Sequence, residues 1–296
     1  MWRPTRHSSS ASRRTSRARS SPRTRSTTSR RWGAARSPGR EAVGAFRGRI
    51  ETLNDERGHL CVGVDPRPGR FPPDDQDAAG LERWCLNLVE ATEEQAAAYK
   101  PNLAFFLAMG PEGLRVLEAV ADRAEAAGAL TILDGKFTDI GSTAEAYARF
   151  ADDVVGADAV TLSPYMGTDV LDPFLDRDLD AFVLARTTNA SASQVQDTVA
   201  GEVVQTFSMR GTGFVAPGND PDTAGHVRQT AGGAPLLLPG IGAQGGSAAE
   251  AACTARGGPF LIAIGRGIAH AEGSFPDNAR EAAQRFSKEI DAALDG

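Results

Sequence analysis

Eight short apolar, β-prone runs punctuate the chain, at residues 60–64, 97–100, 130–133, 159–162, 181–184, 213–216, 235–238 and 259–264. Between most of them lies an Ala-, Glu- and Arg-rich segment with helical spacing, such as residues 113–123. Short runs that are apolar throughout fit strands buried on both faces, and parallel sheets covered by helices demand such strands. Eight strand–helix alternations over the length available match the count of a (β/α)₈ barrel. A doubly wound open sheet alternates in the same way. Short, evenly spaced units with polar or glycine-rich strand exits favour the closed barrel. The expected fold is therefore α/β, a TIM barrel forming a single domain over residues 42–296, behind an extension at 1–41.

Charge separates these two parts. Residues 1–40 hold twelve arginines, many serines and threonines, and no acid. Such a segment has almost nothing to bury and is expected to be disordered. The pairs Arg13-Arg14 and Arg30-Arg31 lack the apolar stretch of a twin-arginine signal. An acid-free, Arg/Ser-rich leader also resembles a transit peptide. The reading preferred is a non-structural extension arising from an early start codon. Of 32 basic residues, 20 remain beyond this segment against 38 acidic ones, a net charge of −18. That balance argues against nucleic acid as a partner of the barrel. Cys61, Cys85 and Cys253 are odd in number and have no CxxC spacing, as expected of reduced thiols in a cytoplasmic protein. None of the four histidines pairs with another at metal-ligand spacing, so no metal site is expected. No run approaches the roughly 18 apolar residues of a membrane span, so no membrane partner is expected.

In a barrel of this kind the functional groups sit where strands end. The eight exits read Asp65-Pro66, Lys100-Pro101-Asn102, Asp134-Gly135-Lys136 with Asp139, Ser163-Pro164, Arg186-Thr187-Thr188-Asn189, Pro217-Gly218-Asn219, Gly240-Ile241-Gly242-Ala243-Gln244-Gly245, and Gly265-Arg266-Gly267. Strand residues i and i+2 share a face, so Asp134 and Lys136 should project side by side. Ser142-x-x-Glu145 reads as a capping box opening the next helix. Asp134, Lys136 and Asp139 alone would also suit a surface ion cluster; their company at the other exits points to a site. The G-x-G-x-x-G string at 240–245 has two readings. In a dinucleotide fold it would follow an early strand, with an acid about 20 residues on; here Arg266 stands further along instead. In a barrel it would cradle phosphate between the loops after strands 7 and 8, with Arg266 supplying a forked cationic donor.

These residues together resemble the orotidine 5′-monophosphate decarboxylase family, most closely its longer bacterial subgroup (type 2). The resemblance spans roughly residues 45–290 and rests on motifs in the family's order. They are Cys61-Val-Gly-Val-Asp65-Pro, Lys100-Pro-Asn-Leu-Ala-Phe-Phe, Asp134-Gly-Lys136-Phe-Thr-Asp139-Ile-Gly-Ser-Thr, Asp158-Ala-Val-Thr-Leu-Ser-Pro-Tyr-Met-Gly and Leu238-Pro-Gly-Ile-Gly-Ala-Gln-Gly-Gly. D-x-K-x-x-D alone is shared with sugar-phosphate relatives such as hexulose-phosphate synthases.

The resemblance implies conversion of orotidine 5′-monophosphate to uridine 5′-monophosphate and CO₂, in de novo pyrimidine biosynthesis, without metal or organic cofactor. It implies a charged catalytic network of Lys100, Asp134, Lys136 and Asp139, with Lys136 stabilising and protonating the carbanion. It also implies a homodimer, in which Asp139 and Thr143 reach the neighbouring subunit's site. Asp65 would hold the ribose, Thr188 the pyrimidine, and Gln244 and Arg266 the phosphate. Ser163 and Gly265 complete the expected substrate-binding set. The chemistry is consistent with this set: loss of CO₂ from C6 leaves an electron pair with no conjugated sink, and a preorganised ammonium can stabilise it and then donate a proton.

The chain departs from the subgroup at several exits. Gly135, Phe137 and Thr138 replace the usual D-A-K-R-G-D spacers. Thr188-Asn189-Ala190-Ser191 replaces a serine followed by Asn-Pro-Gly, and Ala216-Pro217-Gly218-Asn219 replaces V-G-A-T. These changes lie on the base-facing side and keep two alternatives open. One is a paralogue acting on another nucleotide or sugar phosphate, in specialised nucleoside biosynthesis. The other is a non-catalytic phosphate-binding barrel.

Overall fold

Each expected apolar run lies on a strand in the computed structural model, which describes residues 44–71 and 76–296. The strands are β1 (Leu60–Val64), β2 (Ala96–Pro101), β3 (Leu130–Phe137), β4 (Ala159–Leu162), β5 (Asp180–Leu184), β6 (Gly213–Val215), β7 (Leu236–Pro239) and β8 (Phe260–Ile264). They pair in parallel and in chain order, and β8 closes onto β1 through Leu60↔Ile262 and Cys61↔Ala263. Closure pairs both edges of the sheet, which an open doubly wound sheet cannot do. The expected TIM barrel is therefore the fold. The Arg/Ser-rich extension lies outside the described residues.

Helices cover the sheet, among them Ala78–Thr92, Pro111–Ala126, Gln196–Ser208, Pro221–Ala231 and Asp277–Asp295. Their starts follow local chemistry. Asp77 accepts from the Gly80 amide at 2.8 Å, and Asp220, followed by Pro221 at the first helical position, accepts from Thr223 at 3.1 Å. The expected capping box at Ser142 does not form. The helix Gly141–Arg149 begins two residues earlier, with Ile140 in the capping position and no side-chain cap. Asp139 Oδ1 instead accepts the Ile140 amide at 2.8 Å, leaving Ser142 exposed inside the first turn.

The helix Ala45–Arg57 closes the barrel's N-terminal end. Phe46 packs edge-on against Phe182 of β5, with ring centroids 5.0 Å apart. Asn54 exchanges two hydrogen bonds with the backbone of Phe260, at 3.0 and 3.1 Å, and Arg57 donates to the Ala96 carbonyl. Arg49 pairs with Asp180 and approaches Asp158 at 3.8 Å. Apart from Phe182, midway along β5, these contacts meet the beginnings of strands, so the strand exits at the other end are left open as a mouth.

One strand is irregular. The β3–β4 register runs through Leu133↔Val160 and resumes only at Phe137↔Leu162. Four steps along β3 thus oppose two along β4. Bulges of this type re-aim side chains and often sit beside functional sites. Asp134, Gly135 and Lys136 are the residues this bulge displaces.

Candidate active site

Asp134 is the hub of the mouth. Its Oδ2 accepts from Lys100 Nζ at 2.7 Å, and its Oδ1 accepts from Lys136 Nζ at 2.5 Å and from Thr161 Oγ1 at 2.9 Å. Burial by itself pushes the Asp134 carboxyl upward. The Lys100 and Lys136 charges, with their hydrogen bonds, outweigh this and hold it well below the usual carboxylate range. Burial likewise pulls the Lys100 ammonium down, and Asp134 and Asp65 more than reverse it. The two lysines differ in access: the Lys100 side chain is 11% exposed and that of Lys136 is 47%. Lys100 is therefore an interior counter-charge, while Lys136 presents its ammonium to the opening.

Lys136 also carries unusual backbone geometry. Its φ is +46°, in the left-handed region that L-residues avoid. That conformation costs roughly 1–2 kcal/mol. It is held in part by a hydrogen bond from the Lys136 amide to Thr161 Oγ1 at 2.9 Å.

A cleft of about 210 Å³ opens over this cluster. Of the residues anticipated from the sequence, Asp65, Lys100, Asp134, Lys136, Thr188, Gln244, Gly265 and Arg266 line it. Asp65 Oδ1 is buried with no hydrogen-bond partner, so an acceptor stands ready on that wall. Asp139, Thr143 and Ser163 do not line the cleft of their own chain. Asp139 is half-buried and pairs with neither lysine; Thr143 is exposed. Ser163, at the end of β4, donates its amide to the Phe137 carbonyl.

Across the mouth, the loop after β7 folds into a tight cradle. The Gly242 amide bonds the Gly246 carbonyl at 2.9 Å, and the Gly246 amide bonds the Gly240 carbonyl at 3.1 Å. Gly240 has φ +104°, and a Cβ at Gly246 would lie 2.7 Å from the Gly218 carbonyl oxygen, so both positions require glycine. The loop follows the seventh strand of a closed barrel, which removes the dinucleotide reading of G-x-G-x-x-G.

At the β5 exit, Thr187 is held at the start of the loop. Gln196 Oε1 accepts both its amide, at 2.7 Å, and its hydroxyl, at 3.0 Å. Arg186 donates to Asp197 at 2.9 Å and to the Thr187 carbonyl at 2.6 Å. This polar clasp occupies the loop that lacks the subgroup's Pro-Gly. On β1, near Lys100 and Asp134, Cys61 is wholly buried; burial pushes its thiol up to about 12, so it stays protonated. Among the described residues, no group of three or more His, Cys, Asp or Glu side chains is arranged to hold a metal, and no helix is long and apolar enough to cross a membrane.

Thr161 is a functional residue that no strand exit announces. It lies in the apolar run Ala159–Leu162, and the available signal was its hydroxyl at a position that strand alternation places with Ala159, facing the barrel interior.

Fold and cleft define a (β/α)₈-barrel protein whose mouth joins a lysine–aspartate–lysine cluster, buried at Lys100 and Asp134 and open at Lys136, to a glycine-rich loop and an arginine. A sequence-family profile described as orotidine 5′-phosphate decarboxylase / HUMPS family matches residues 58–284. The chain belongs to this family. Orotidine 5′-phosphate decarboxylase of Roseiflexus castenholzii is 40% identical over 254 residues, covering 79% of this chain and 93% of that protein. Among solved structures, Leishmania donovani OMP decarboxylase aligns with a TM-score of 0.72 at 34% identity, covering 83% of this chain and 99% of that one. Leishmania donovani UMP synthase gives the same TM-score of 0.72 at 36% identity; 82% of this chain matches 56% of that longer protein.

Proposed function

We propose that this chain is a carboxy-lyase that converts orotidine 5′-monophosphate to uridine 5′-monophosphate and CO₂ in pyrimidine biosynthesis, using Lys136 at the reacting carbon. The observation that carries the reading is the Asp134 carboxylate held between two ammonium groups that both line the cleft, of which Lys136 is by far the more exposed. As the C6–CO₂ bond breaks, its electron pair stays on C6. The Lys136 ammonium stabilises that charge electrostatically and then transfers a proton to C6. The resulting amine is reprotonated from solvent. Lys100 keeps Asp134 ionised, and Asp134 in turn keeps the Lys136 ammonium in place.

The remaining roles follow the walls of the cleft. Asp65 accepts from the ribose hydroxyls, Thr188 faces the pyrimidine, and Gln244 and Arg266 bind the phosphate beside Gly265, where the backbone comes close. Ser163 would meet the ligand only if its exit loop moved inward. Binding energy from the phosphate, remote from C6, can be used to order the mouth around the ring.

We further propose a homodimer in which Asp139 and Thr143 enter the partner's cleft. Ile140, Thr143 and Tyr147 share one face of a helix, and Ile140 and Tyr147 are 52% and 39% exposed. Leu107, 53% exposed, stands on the neighbouring exit, and Tyr165 and Met166 on the next. Apolar exposure of this kind marks a contact surface. We place the protein in the cytoplasm, with residues 1–41 taking no part in catalysis.

The test is the loss of orotidine 5′-monophosphate ultraviolet absorbance on mixing with purified protein. Turnover is expected, falling by about 10⁴-fold or more in Lys136→Ala. Tight binding without turnover would instead favour the non-catalytic barrel. A second reading, a paralogue acting on another nucleotide, draws on the base side: Asn219 holds the Thr188 carbonyl, and the Thr188 methyl lies against Gly240. Rapid turnover of the orotidine nucleotide would exclude it.

A further inference from the structure

We propose that Thr161 is a positioning residue that holds Lys136 in its working conformation and orients Asp134 toward it. The inference rests on the decarboxylase reading and assigns a function to a side chain that lies inside the motif at 158–167 but to which the resemblance gives no role.

Between Leu133↔Val160 and Phe137↔Leu162 the β3–β4 ladder is interrupted, so the Lys136 amide has no ladder partner. A buried, unpaired amide is disfavoured, and proteins nearly always satisfy one. Thr161 lies directly across the interruption and supplies the acceptor, at 2.9 Å from the Lys136 nitrogen. The same oxygen carries a single proton, and that proton goes to Asp134 Oδ1 at 2.9 Å. The polarity of both bonds is therefore forced: an ionised carboxylate can only accept, and an amide can only donate. Nothing in this arrangement is free to rotate without breaking one of the two bonds.

The consequence for Lys136 is geometric. A left-handed backbone at φ +46° persists only when the surroundings over-determine it. Thr161 grips the backbone of Lys136 at its amide. Through Asp134 Oδ1 it also shares the acceptor that receives Lys136 Nζ at 2.5 Å. One hydroxyl thus ties the main chain of Lys136 to the carboxylate that holds the end of its side chain. Threonine suits this task because its branched Cβ restricts χ1, and because a strand residue has little backbone freedom. The residue is 2% exposed, and its bond to Asp134 is buried.

The experiment compares wild type, Thr161→Val and Thr161→Ser in the full chain. Valine keeps shape and burial but can make neither bond; serine can make both. For decarboxylation, Thr161→Val is expected to lower kcat by about 10- to 100-fold, with KM within about twofold and a far-ultraviolet spectrum like the wild type's. Thr161→Ser is expected to recover most of the loss. Hydrogen exchange at the Lys136 amide, followed by NMR, should accelerate at least about tenfold in the valine variant and much less in the serine variant. A valine variant whose kcat and Lys136 exchange both match the wild type overturns the inference, as does a serine variant no better than valine. A wild-type protein with no turnover would sink the decarboxylase reading instead, and the exchange comparison would still decide whether Thr161 holds Lys136.

Discussion

Gly135 and Phe137 occupy each other's space: a Cβ added at Gly135 would lie 2.4 Å from the Phe137 ring. The two departures flanking Lys136 are therefore one coupled change. The ring is buried, packed 5.0 Å from Tyr147 and 5.7 Å from Phe174, and it leaves room only for glycine inside the bulge.

Gly135→Ala should destabilise the fold by about 1–3 kcal/mol through overpacking. It should also lower turnover, because the displaced ring adjoins Lys136. Adding Phe137→Leu should return a measurable part of both. Thermal melts and rates of the two single variants and the double variant check this; strict additivity would show that the two positions are independent.

Asp134→Asn should destabilise the protein by about 3 kcal/mol or more, since it leaves the buried Lys100 ammonium facing a neutral amide. The pH dependence has a definite sign. The folded carboxyl is held below its ordinary value, so its contribution is complete above the ordinary carboxylate range, near 4, and disappears only as pH falls through the lower folded value. The wild type's advantage over Asp134→Asn, measured by denaturant titration at stepped pH, should persist at pH 5 and shrink only in stronger acid.

Mixing two inactive variants tests the shared site. Lys136→Ala and Asp139→Asn should each be nearly inactive alone. A mixed dimer brings one intact Lys136 together with an intact Asp139 from the other chain. Activity should therefore return on mixing and subunit exchange. Failure to recover any activity while exchange is demonstrated would place Asp139 outside the partner's cleft.

Phe46→Ala should lower stability by about 3–5 kcal/mol, because the ring is buried against Phe182 at the closed end of the barrel. KM for the nucleotide should not change at a temperature where the variant is folded. A clear KM effect would show that the terminal helix communicates with the mouth.

Much of this was legible along the chain. Lys100, Asp134 and Lys136 were expected to converge from adjacent exits, and they do, because strand order followed chain order and side-chain direction has a period of two. The glycine-rich loop and Arg266 were expected together for the same reason. What the chain does not spell out is set by partners from another strand. Thr161 sits inside an apolar run, although its hydroxyl holds two of the cluster's atoms. Ser142 resembled a helix cap because three-residue spacing is a local pattern. The turn that precedes it had already supplied Asp139 to the Ile140 amide.

The sequence by itself determined the eight-unit barrel, the end at which its site lies, and the charged residues that line the cleft, because periodicity and order along the chain are local properties. Only the tertiary structure decided the bulge in β3, the left-handed Lys136, the pairing of Gly135 with Phe137 and the grip of Thr161. These depend on register between strands and on which atoms face one another across a gap. That register is set by closing the barrel as a whole.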